Sequence, residues 1–332
     1  NCQEGRSKMA KNCQKGTSLV AKKEKKMDFK EQLSQYQNMI NHELEKYLRK
    51  QKCPEEVWNS SMEYSLMSGG KRLRPILTVA TYQLFKDDID VCMPYAVAIE
   101  MVHNFSLIHD DLPGIDNDDF RHGRQTNHKK FNEATAILAG DGLLNQAYMV
   151  ISSDFEKCLK DKENLSEKQL IHYLNKRTKI FTEFSNAVDR MIAGEYVDTE
   201  YEGKQISEQY LDYMHENKTG ALLKLAVRMG AILAECAEDD LEKLSIYAEK
   251  IGLAFQIKDD ILSEEGDEKI LGKPVGNDKK MGKCTYISKY GLERSKEILD
   301  RITKEAIKEL EEYSDKANFL RELALYVQNR NK

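Results

Sequence analysis

Residues that interrupt helices are scarce in this chain. Only five of its 332 residues are proline and 18 are glycine. Apolar side chains recur every three or four positions, as in Phe29, Leu33, Tyr36 and Ile40, which is the spacing of an amphipathic helix. Sustained alternation of apolar and polar residues, the signal of a strand, is absent. These features exclude an all-β fold, which needs frequent turn residues, and predict an all-α chain.

Helical periodicity continues over most of the sequence. The further predicted helices cover residues 76–86, 93–110, 132–152, 166–194, 207–235, 239–263 and 292–328. We find no internal repeat and no low-complexity linker between them. The length would allow two domains, but a single large helical bundle is the simplest arrangement.

Charge is distributed unevenly along the chain. Residues 1–26 carry a net charge of +6 and the remainder −11. Since residues 1–26 lack hydrophobic periodicity and precede Met27, we interpret them as a non-native or disordered extension, with a transit peptide as the alternative. The acidic remainder argues against a nucleic-acid partner. No apolar run reaches the roughly 18 residues of a membrane span, so we expect no integral membrane segment.

The seven cysteines are scattered and form no C-x-x-C pair. Their odd number argues against a disulfide framework, and their spacing argues against a zinc ribbon. This pattern is typical of a reducing compartment, so we expect a cytoplasmic protein.

The strongest functional signal is a carboxylate cluster at the end of a predicted helix. Five aspartates fall within ten residues, starting at Asp110-Asp111, and so many like charges are costly to assemble unless a cation neutralises them. The candidate ligands are hard oxygens, which favours Mg²⁺ over zinc. Pro113-Gly114 would end the helix and let Asp116 fold back toward the pair. A solvated acidic loop is the simpler alternative for any isolated cluster of this kind.

A second aspartate pair, Asp259-Asp260, follows another apolar helix. Gln256, Asp259 and Ser263 lie on one stripe of that helix. The two pairs can face each other across a bundle, and bundle cores build metal sites in this way. We therefore expect both pairs to bind Mg²⁺.

Basic residues beside glycines are the third signal. In the segment GGKRLRP at 69–75, Gly70 would let the backbone approach a ligand, while Lys71 and Arg74 would hold phosphate oxygens. Alone, the segment could equally be a turn before a helix. Further basic groups next to glycines are Arg121, Lys218 and Lys273. Together with the acidic pairs, they predict the metal-assisted departure of a diphosphate.

The sequence resembles the trans-isoprenyl diphosphate synthases, and among them the bacterial farnesyl diphosphate synthases. The resemblance covers roughly residues 27–332, the expected synthase domain. The segments that carry it are GGKRLRP at 69–75, SLIHDDLPGIDNDD at 106–119, NKTGAL at 217–222, GLAFQIKDDIL at 252–262 and LGKPVGNDKKMGKCTY at 271–286. It implies an all-α bundle around a central cavity, a homodimer, and about three Mg²⁺ ions per active site when diphosphate is bound.

The resemblance also implies roles for individual residues. The expected Mg²⁺ ligands that carry the allylic diphosphate are Asp110, Asp111, Asp116 and Asp259. The residues that match the allylic diphosphate site are Arg121, Lys218, Thr219, Gln256 and Lys273. Those that match the isopentenyl diphosphate site are Lys71, Arg74 and His103. Catalysis would depend on Asp110 and Asp259, and on Lys218, Thr219 and Gln256, which would either stabilise an allylic cation or hold the diphosphate.

The implied reaction is the condensation of isopentenyl diphosphate with dimethylallyl or geranyl diphosphate to farnesyl diphosphate. Phe105, with Ser106, is the expected chain-length determinant, since Phe105 lies about 7.5 Å below Asp110 along a helix axis. In this family, an aromatic residue here and a six-residue spacing from Asp110 to Asp116 accompany a fifteen-carbon product. A geranylgeranyl diphosphate synthase is the alternative product class.

Three positions depart from the family pattern. His122 stands where a second arginine usually helps to hold isopentenyl diphosphate, Ser263 replaces the last aspartate of the second motif, and Glu195 replaces a common glutamine. Histidine is only partly charged near neutral pH. These departures leave open a catalytically weak partner or regulatory subunit of a prenyl synthase.

Overall fold

The computed structural model of the chain describes residues 28–48, 53–204, 207–265 and 285–331. Its helices are α1 (Phe29–Tyr47), α2 (Val57–Leu66), α3 (Leu73–Tyr82), α4 (Met93–Asp110), α5 (Asn127–Lys130), α6 (Glu133–Lys160), α7 (Glu167–Glu200), α8 (Glu208–Met214), α9 (Ala221–Leu233), α10 (Glu238–Glu265), α11 (Tyr286–Tyr290), α12 (Leu292–Lys308) and α13 (Asn318–Asn329). Within these ranges the only strands form one short antiparallel hairpin, β1 (Phe120–Arg121) and β2 (Arg124–Gln125). The all-α prediction is confirmed.

Two helices, α4 and α9, lie at the centre of the bundle. Most of their residues are buried, from Met93 to Ile108 in α4 and from Ala221 to Leu233 in α9. A helix that is apolar on nearly all sides packs inside a protein, and α4 packs against α3 and α6 while α9 packs against α3, α7 and α10. The carboxyl end of α4, where the first aspartate pair lies, is therefore enclosed by neighbouring helices.

The predicted helix over residues 207–235 is interrupted by a π-helical turn, His215–Gly220, between α8 and α9. Such turns occur often at functional sites. The turn packs against α7 at Gly194, where an added Cβ would lie 2.3 Å from the backbone nitrogen of Lys218. Only glycine allows this close approach, so Gly194 lets α7 hold the turn directly.

The predicted helix over residues 292–328 is instead two helices, α12 and α13. A 3₁₀ segment, Glu311–Ala317, separates them, and Ser314 has a positive φ of 46°. The break lets α13 turn back along α10 and α12, so that Phe319, Leu320 and Leu323 reach the core. This burial, which helical periodicity alone does not reveal, explains the difference.

One hydrophobic cluster extends from Ile40 in α1 to Val327 in α13. None of the described helices is long and apolar enough to cross a membrane. The interpretation of residues 1–26 as an extension stays a prediction, because they lie outside the described residues.

Candidate active site

The first aspartate cluster forms a tight turn at the end of α4. The helix ends at Asp110, and the backbone N–H of Asp116 donates to the carbonyl of Asp110 at 2.8 Å. The chain thus folds back after Pro113-Gly114 as the sequence predicts, and Asp110, Asp111 and Asp116 share one turn.

Arg121, at the start of the β-hairpin, holds the second carboxylate of this cluster. Its Nε and Nη2 atoms lie 2.7 and 2.5 Å from Oδ1 of Asp111. Asp111 is buried, and burial raises the pKa of its carboxyl, although the Arg121 hydrogen bond and charge oppose this rise. The hairpin therefore fixes a cation beside the first motif.

Lys218 lies in the π-helical turn and is gripped by two carboxylates of α7. Its Nζ is 2.9 Å from Oε2 of Glu195 and 2.6 Å from Oδ2 of Asp198. Burial lowers the pKa of Lys218, but the charges of Glu195, Asp198 and Asp110 outweigh it, so the net pKa is raised. Lys218 is thus a permanently charged ammonium between α7 and the first aspartate motif.

Burial and nearby charges act strongly on the pKa of Asp110. Burial and the negative charge of Glu195 raise the pKa of its carboxyl to about 8, against the opposing charges of Lys218 and Arg121. Burial also raises the pKa of Glu195. The two nearby cations therefore do not compensate this set of carboxylates fully, which is the environment expected of groups that bind a further cation.

The two aspartates of the second motif have different surroundings: Asp260 is buried and Asp259 is partly exposed. Asp260 is buried, and its Oδ1 accepts from Nε2 of Gln256 at 3.1 Å while its Oδ2 accepts from the backbone N–H of Tyr286 at 2.8 Å. The hydroxyl of Thr219 in turn donates to Oε1 of Gln256 at 3.1 Å. Asp259, whose side chain is 45% exposed, faces the open side of α10.

Arg330, close to the carboxyl end of the chain, closes over the second motif. Its Nη2 lies 2.6 Å from Oδ1 of Asp259 and 3.0 Å from the carbonyl oxygen of Phe255. Its guanidinium stacks 4.0 Å from the centroid of the Phe255 ring, and Nζ of Lys71 lies 5.7 Å from the same centroid. The Phe255 ring therefore joins the second motif to the basic loop.

The basic loop at 69–75 owes its shape to unusual backbone angles. Gly69, Gly70 and Arg72 have φ values of 100°, 111° and 53°, a region that glycine enters readily and other residues avoid. The Arg72 side chain supports this conformation, because it is buried and bonded to Oε1 of Glu100 at 2.8 Å and to the carbonyl of Leu66 at 2.6 Å. These contacts anchor the loop that presents Lys71 and Arg74.

Arg74 and two histidines face the same region from three different elements. Burial lowers the pKa of Arg74 to about 10, and its buried Nε has no hydrogen-bond partner within the described ranges. Burial and the surrounding arginines lower the pKa of His103 well below its usual value. His122 occupies the turn of the β-hairpin beside Gly70, and burial together with Arg121 lowers its pKa. Both rings are therefore neutral near pH 7.

Phe105 lies on α4, below the first motif. It is buried, and its ring meets that of His109 edge to face at 4.8 Å. Ser106 donates its hydroxyl to the carbonyl of His103 at 2.9 Å. The expected chain-length residue thus lies in the interior of the bundle, on the same helix as Asp110.

The π-helical turn that carries Lys218 lies close to both aspartate motifs. The charge of Asp110 acts on Lys218, and the turn also packs against α10, which carries the second motif. Within the described residues, no three carboxylate, imidazole or thiolate side chains are close enough to hold a metal ion by themselves. Arg121 and Arg330 pair with Asp111 and Asp259 instead. Carboxylates with flanking cations are suited to a polyanion that enters together with its counterions.

Comparison with known proteins identifies this arrangement. Residues 55–323 match the polyprenyl synthetase family model. The chain belongs to the polyprenyl synthetase family. It is 41% identical to a farnesyl diphosphate synthase of Bacillus subtilis, over 82% of this chain and 88% of that protein. It is 40% identical to a geranylgeranyl diphosphate synthase of Cyanophora paradoxa, over 82% of this chain and 87% of that protein.

Solved structures agree with the family assignment. The apo crystal structure of an FPP/GFPP synthase from Zymomonas mobilis superimposes with a TM-score of 0.76 at 31% identity. The match covers 90% of this chain and 98% of that one. The bundle of this polyprenyl synthetase therefore has the fold that the sequence resemblance implies.

Several residues in this site were missed by sequence reasoning. Asp198 carries the shortest contact to Lys218, and its signal was the i, i+3 spacing from Glu195 on α7, which places both on one face. Arg72 and Glu100 form a buried ion pair that no local spacing reveals. Arg330 pairs with Asp259 from 71 residues away in the sequence, so no local spacing reveals this contact either.

Lys273 lies outside the described residues, so its place in the diphosphate site stays a prediction. Ser263, which departs from the family pattern, is buried on α10. Asp259 and Asp260 are consequently the only aspartates that the described part of α10 offers near its carboxyl end.

Proposed function

We propose that this chain condenses isopentenyl diphosphate with dimethylallyl or geranyl diphosphate to form farnesyl diphosphate. The observation that carries the proposal is the Lys218 turn, which lies close to Asp110, packs against α10 and is fixed by Glu195 and Asp198. Membership of the polyprenyl synthetase family supports the reaction class. A farnesyl diphosphate synthase among the relatives supports the product.

Mg²⁺ is the proposed cofactor, with Asp110, Asp111 and Asp116 on one side and Asp259 on the other. The donor set fits, because hard carboxylate oxygens suit Mg²⁺ and the raised pKa of Asp110, about 8, marks a carboxylate whose charge is not fully compensated. When bound, Mg²⁺ stabilises negative charge on the leaving diphosphate.

Basic residues of the chain are proposed to bind the two diphosphate substrates. Lys218 and Arg121, with Lys273 as a further expected contact, hold the allylic diphosphate while its carbon–oxygen bond breaks. Lys71, Arg74, His103 and His122 hold isopentenyl diphosphate beside Gly70, and the Nε of Arg74, which has no partner among the described residues, supports an anion there. The alkene of isopentenyl diphosphate then forms the new carbon–carbon bond to the allylic carbon, and the departed diphosphate takes up the proton that is lost. No protein nucleophile is required.

Thr219 and Gln256 are proposed to act on the allylic cation itself. Their side chains are joined by a hydrogen bond of 3.1 Å beside Lys218. Oxygen dipoles held in a fixed direction stabilise positive charge without reorganising during the reaction.

We further propose that the chain is a cytoplasmic homodimer. Ile137 and Leu138 on α6 and Phe181 on α7 are large apolar side chains that are exposed, and association of two copies through these helices would remove them from water. Cys53, Cys92 and Cys236 are free thiols, which supports a reducing compartment.

Replacing Phe105 by alanine is expected to lengthen the product from fifteen to twenty or more carbons. The buried ring would no longer block growth of the chain below Asp110. Chromatography of the dephosphorylated products measures the change in chain length. The matched control is Phe85→Ala, which removes an aromatic ring that follows α3 and contacts Tyr313. An unchanged product distribution in Phe105→Ala would contradict this role.

Replacing Arg330 by methionine is expected to strengthen divalent cation binding. The ion pair with Asp259 competes with any cation at that carboxylate, and its loss is worth about 1 kcal/mol, or a roughly fivefold lower Kd. Mn²⁺ titration by calorimetry in the presence of inorganic diphosphate measures the change, and Lys308→Met, which removes an exposed charge from α12, is the control. An equal or weaker affinity in Arg330→Met would show that the pair does not limit cation access.

The requirement for both substrates tests the proposed reaction class. Diphosphate release is expected only when isopentenyl diphosphate, an allylic diphosphate and Mg²⁺ are all present. Release from the allylic substrate alone would indicate a cyclase instead. No release under any combination would favour the partner-subunit alternative.

A further inference from the structure

A continuous set of hydrogen bonds crosses the site from the π-helical turn to α11. The Thr219 hydroxyl donates to Oε1 of Gln256 at 3.1 Å, and Nε2 of Gln256 donates to Oδ1 of Asp260 at 3.1 Å. Oδ2 of Asp260 accepts from the backbone N–H of Tyr286 at 2.8 Å. Asp260 therefore connects Gln256 to the first residue of α11.

The chemistry of these groups fixes the direction of the Gln256 amide. An ionised carboxylate only accepts hydrogen bonds, whereas an amide has a donor end and an acceptor end. Asp260 therefore selects the NH₂ end of Gln256. The carbonyl oxygen of Gln256 is then forced toward Thr219, beside Lys218.

Asp259 and Asp260 have different environments because they are neighbours on one helix. Successive side chains of an α-helix point about 100° apart. Asp259 is 45% exposed and paired with Arg330, whereas Asp260 is 4% exposed and faces Gln256 and Tyr286. The helix thus presents one aspartate to the open site and the other to the interior.

We propose that Asp260 is a positioning residue that aims the carbonyl oxygen of Gln256 into the site. This assignment rests on the proposed prenyl transfer and revises the expectation that both aspartates bind Mg²⁺. It gives Gln256 one electrostatic role, in which the negative end of its dipole faces the allylic cation.

Three variants test the assignment. In Asp260→Asn, either end of the Gln256 amide can face position 260, so kcat is expected to fall about 100-fold, the size typical of losing one preorganised dipole. In Gln256→Glu, two carboxylates oppose each other, and kcat is expected to fall at least as far. KM for both substrates should change less than about threefold in each variant, because binding contacts are retained.

The double variant Asp260→Asn/Gln256→Glu is the decisive one. The amide at position 260 can still accept from Tyr286 and can donate to the carboxylate at position 256, whose other oxygen faces Thr219. Net charge is unchanged and the hydrogen-bond pattern is restored, so kcat is expected to recover to within about tenfold of wild type. If Asp260 binds metal, the second substitution cannot restore the lost ligand and kcat stays low.

Metal affinity provides a readout that does not depend on turnover. Mn²⁺ titration in the presence of inorganic diphosphate is expected to show at least tenfold weaker binding in Asp259→Asn and less than twofold change in Asp260→Asn, by the ligand-loss scale for metal sites. Equal weakening in both variants would overturn the proposal. Asp189→Asn, an exposed carboxylate on α7, serves as the matched control.

The design separates failure of this proposal from failure of the proposed function. Wild-type turnover tests the function, and the Mn²⁺ titrations still decide the role of Asp260 if no turnover is found. If Asp260→Asn does not fold, Gln256→Glu is compared with the double variant. Positioning requires the added substitution to raise kcat, whereas a metal-ligand role requires it to lower kcat further.

Discussion

Replacing Asp110 by asparagine is expected to abolish most of the activity. Asp110 lies at the end of a buried helix, within the combined field of Glu195, Asp116, Lys218 and Arg121. Asparagine keeps the shape of the side chain but removes the carboxylate that is proposed to hold a cation against the diphosphate. At about 1.4 kcal/mol per tenfold change in rate, losing several kcal/mol of charge stabilisation lowers kcat by about 1,000-fold.

Steady-state kinetics at saturating Mg²⁺ measures this loss. Asp189→Asn, an exposed carboxylate on α7, is the control and should retain wild-type kcat. Circular dichroism should show both variants folded, since asparagine is close to aspartate in size and carries no charge that burial would penalise. If Asp110→Asn kept more than about a tenth of wild-type kcat, the first motif would not be the cation site.

Replacing Lys218 by methionine is the second change with a large expected effect. It removes the ammonium that is proposed to hold the leaving group, and it leaves Glu195 and Asp198 without their cation. We expect kcat to fall about 100- to 1,000-fold, as for other losses of a fixed charge at a reacting centre. We also expect the free energy of unfolding to fall by about 2 kcal/mol, because the carboxylates are only partly exposed.

A second substitution separates these two effects. Adding Glu195→Gln to Lys218→Met removes one of the unpaired carboxylates, so the unfolding free energy should recover in part while kcat stays low. Chemical denaturation and kinetics on the same samples measure both quantities. Recovery of kcat together with stability would mean that Lys218 only supports the fold.

The sequence predicted well those elements that depend on local patterns, such as hydrophobic periodicity and helix-ending residues. Helix α4 was predicted over residues 93–110 and is found at Met93–Asp110, because its apolar face is continuous and Pro113-Gly114 follows it. The return of Asp116 to the Asp110 carbonyl was also predicted from that break. Motif order then indicated a diphosphate site before any geometry was known.

The parts that could not be predicted depend on contacts between distant segments. Arg330 and Asp259 are 71 residues apart, and Arg72 and Glu100 are 28 apart, so no periodicity connects them. The split of residues 292–328 into α12 and α13 follows from packing on α10. The different environments of Asp259 and Asp260 arise because α11 supplies the Tyr286 N–H, which the sequence of α10 does not contain.

The ion pairs of Lys218 with Glu195 and Asp198 could be predicted only in part. Glu195 was recognised as a departure from the family pattern, but its role depends on Gly194 letting the π-helical turn approach α7. Once that contact is known, the i, i+3 spacing of Glu195 and Asp198 explains why both reach the same ammonium.

The identity of the product is the most direct test of the proposed condensation. Wild-type protein is incubated with Mg²⁺, isopentenyl diphosphate and geranyl diphosphate, and the reaction is analysed by mass spectrometry. We predict farnesyl diphosphate as the main product. Geranylgeranyl diphosphate as the main product would contradict the assigned chain length, and unreacted substrates would contradict the proposed condensation itself.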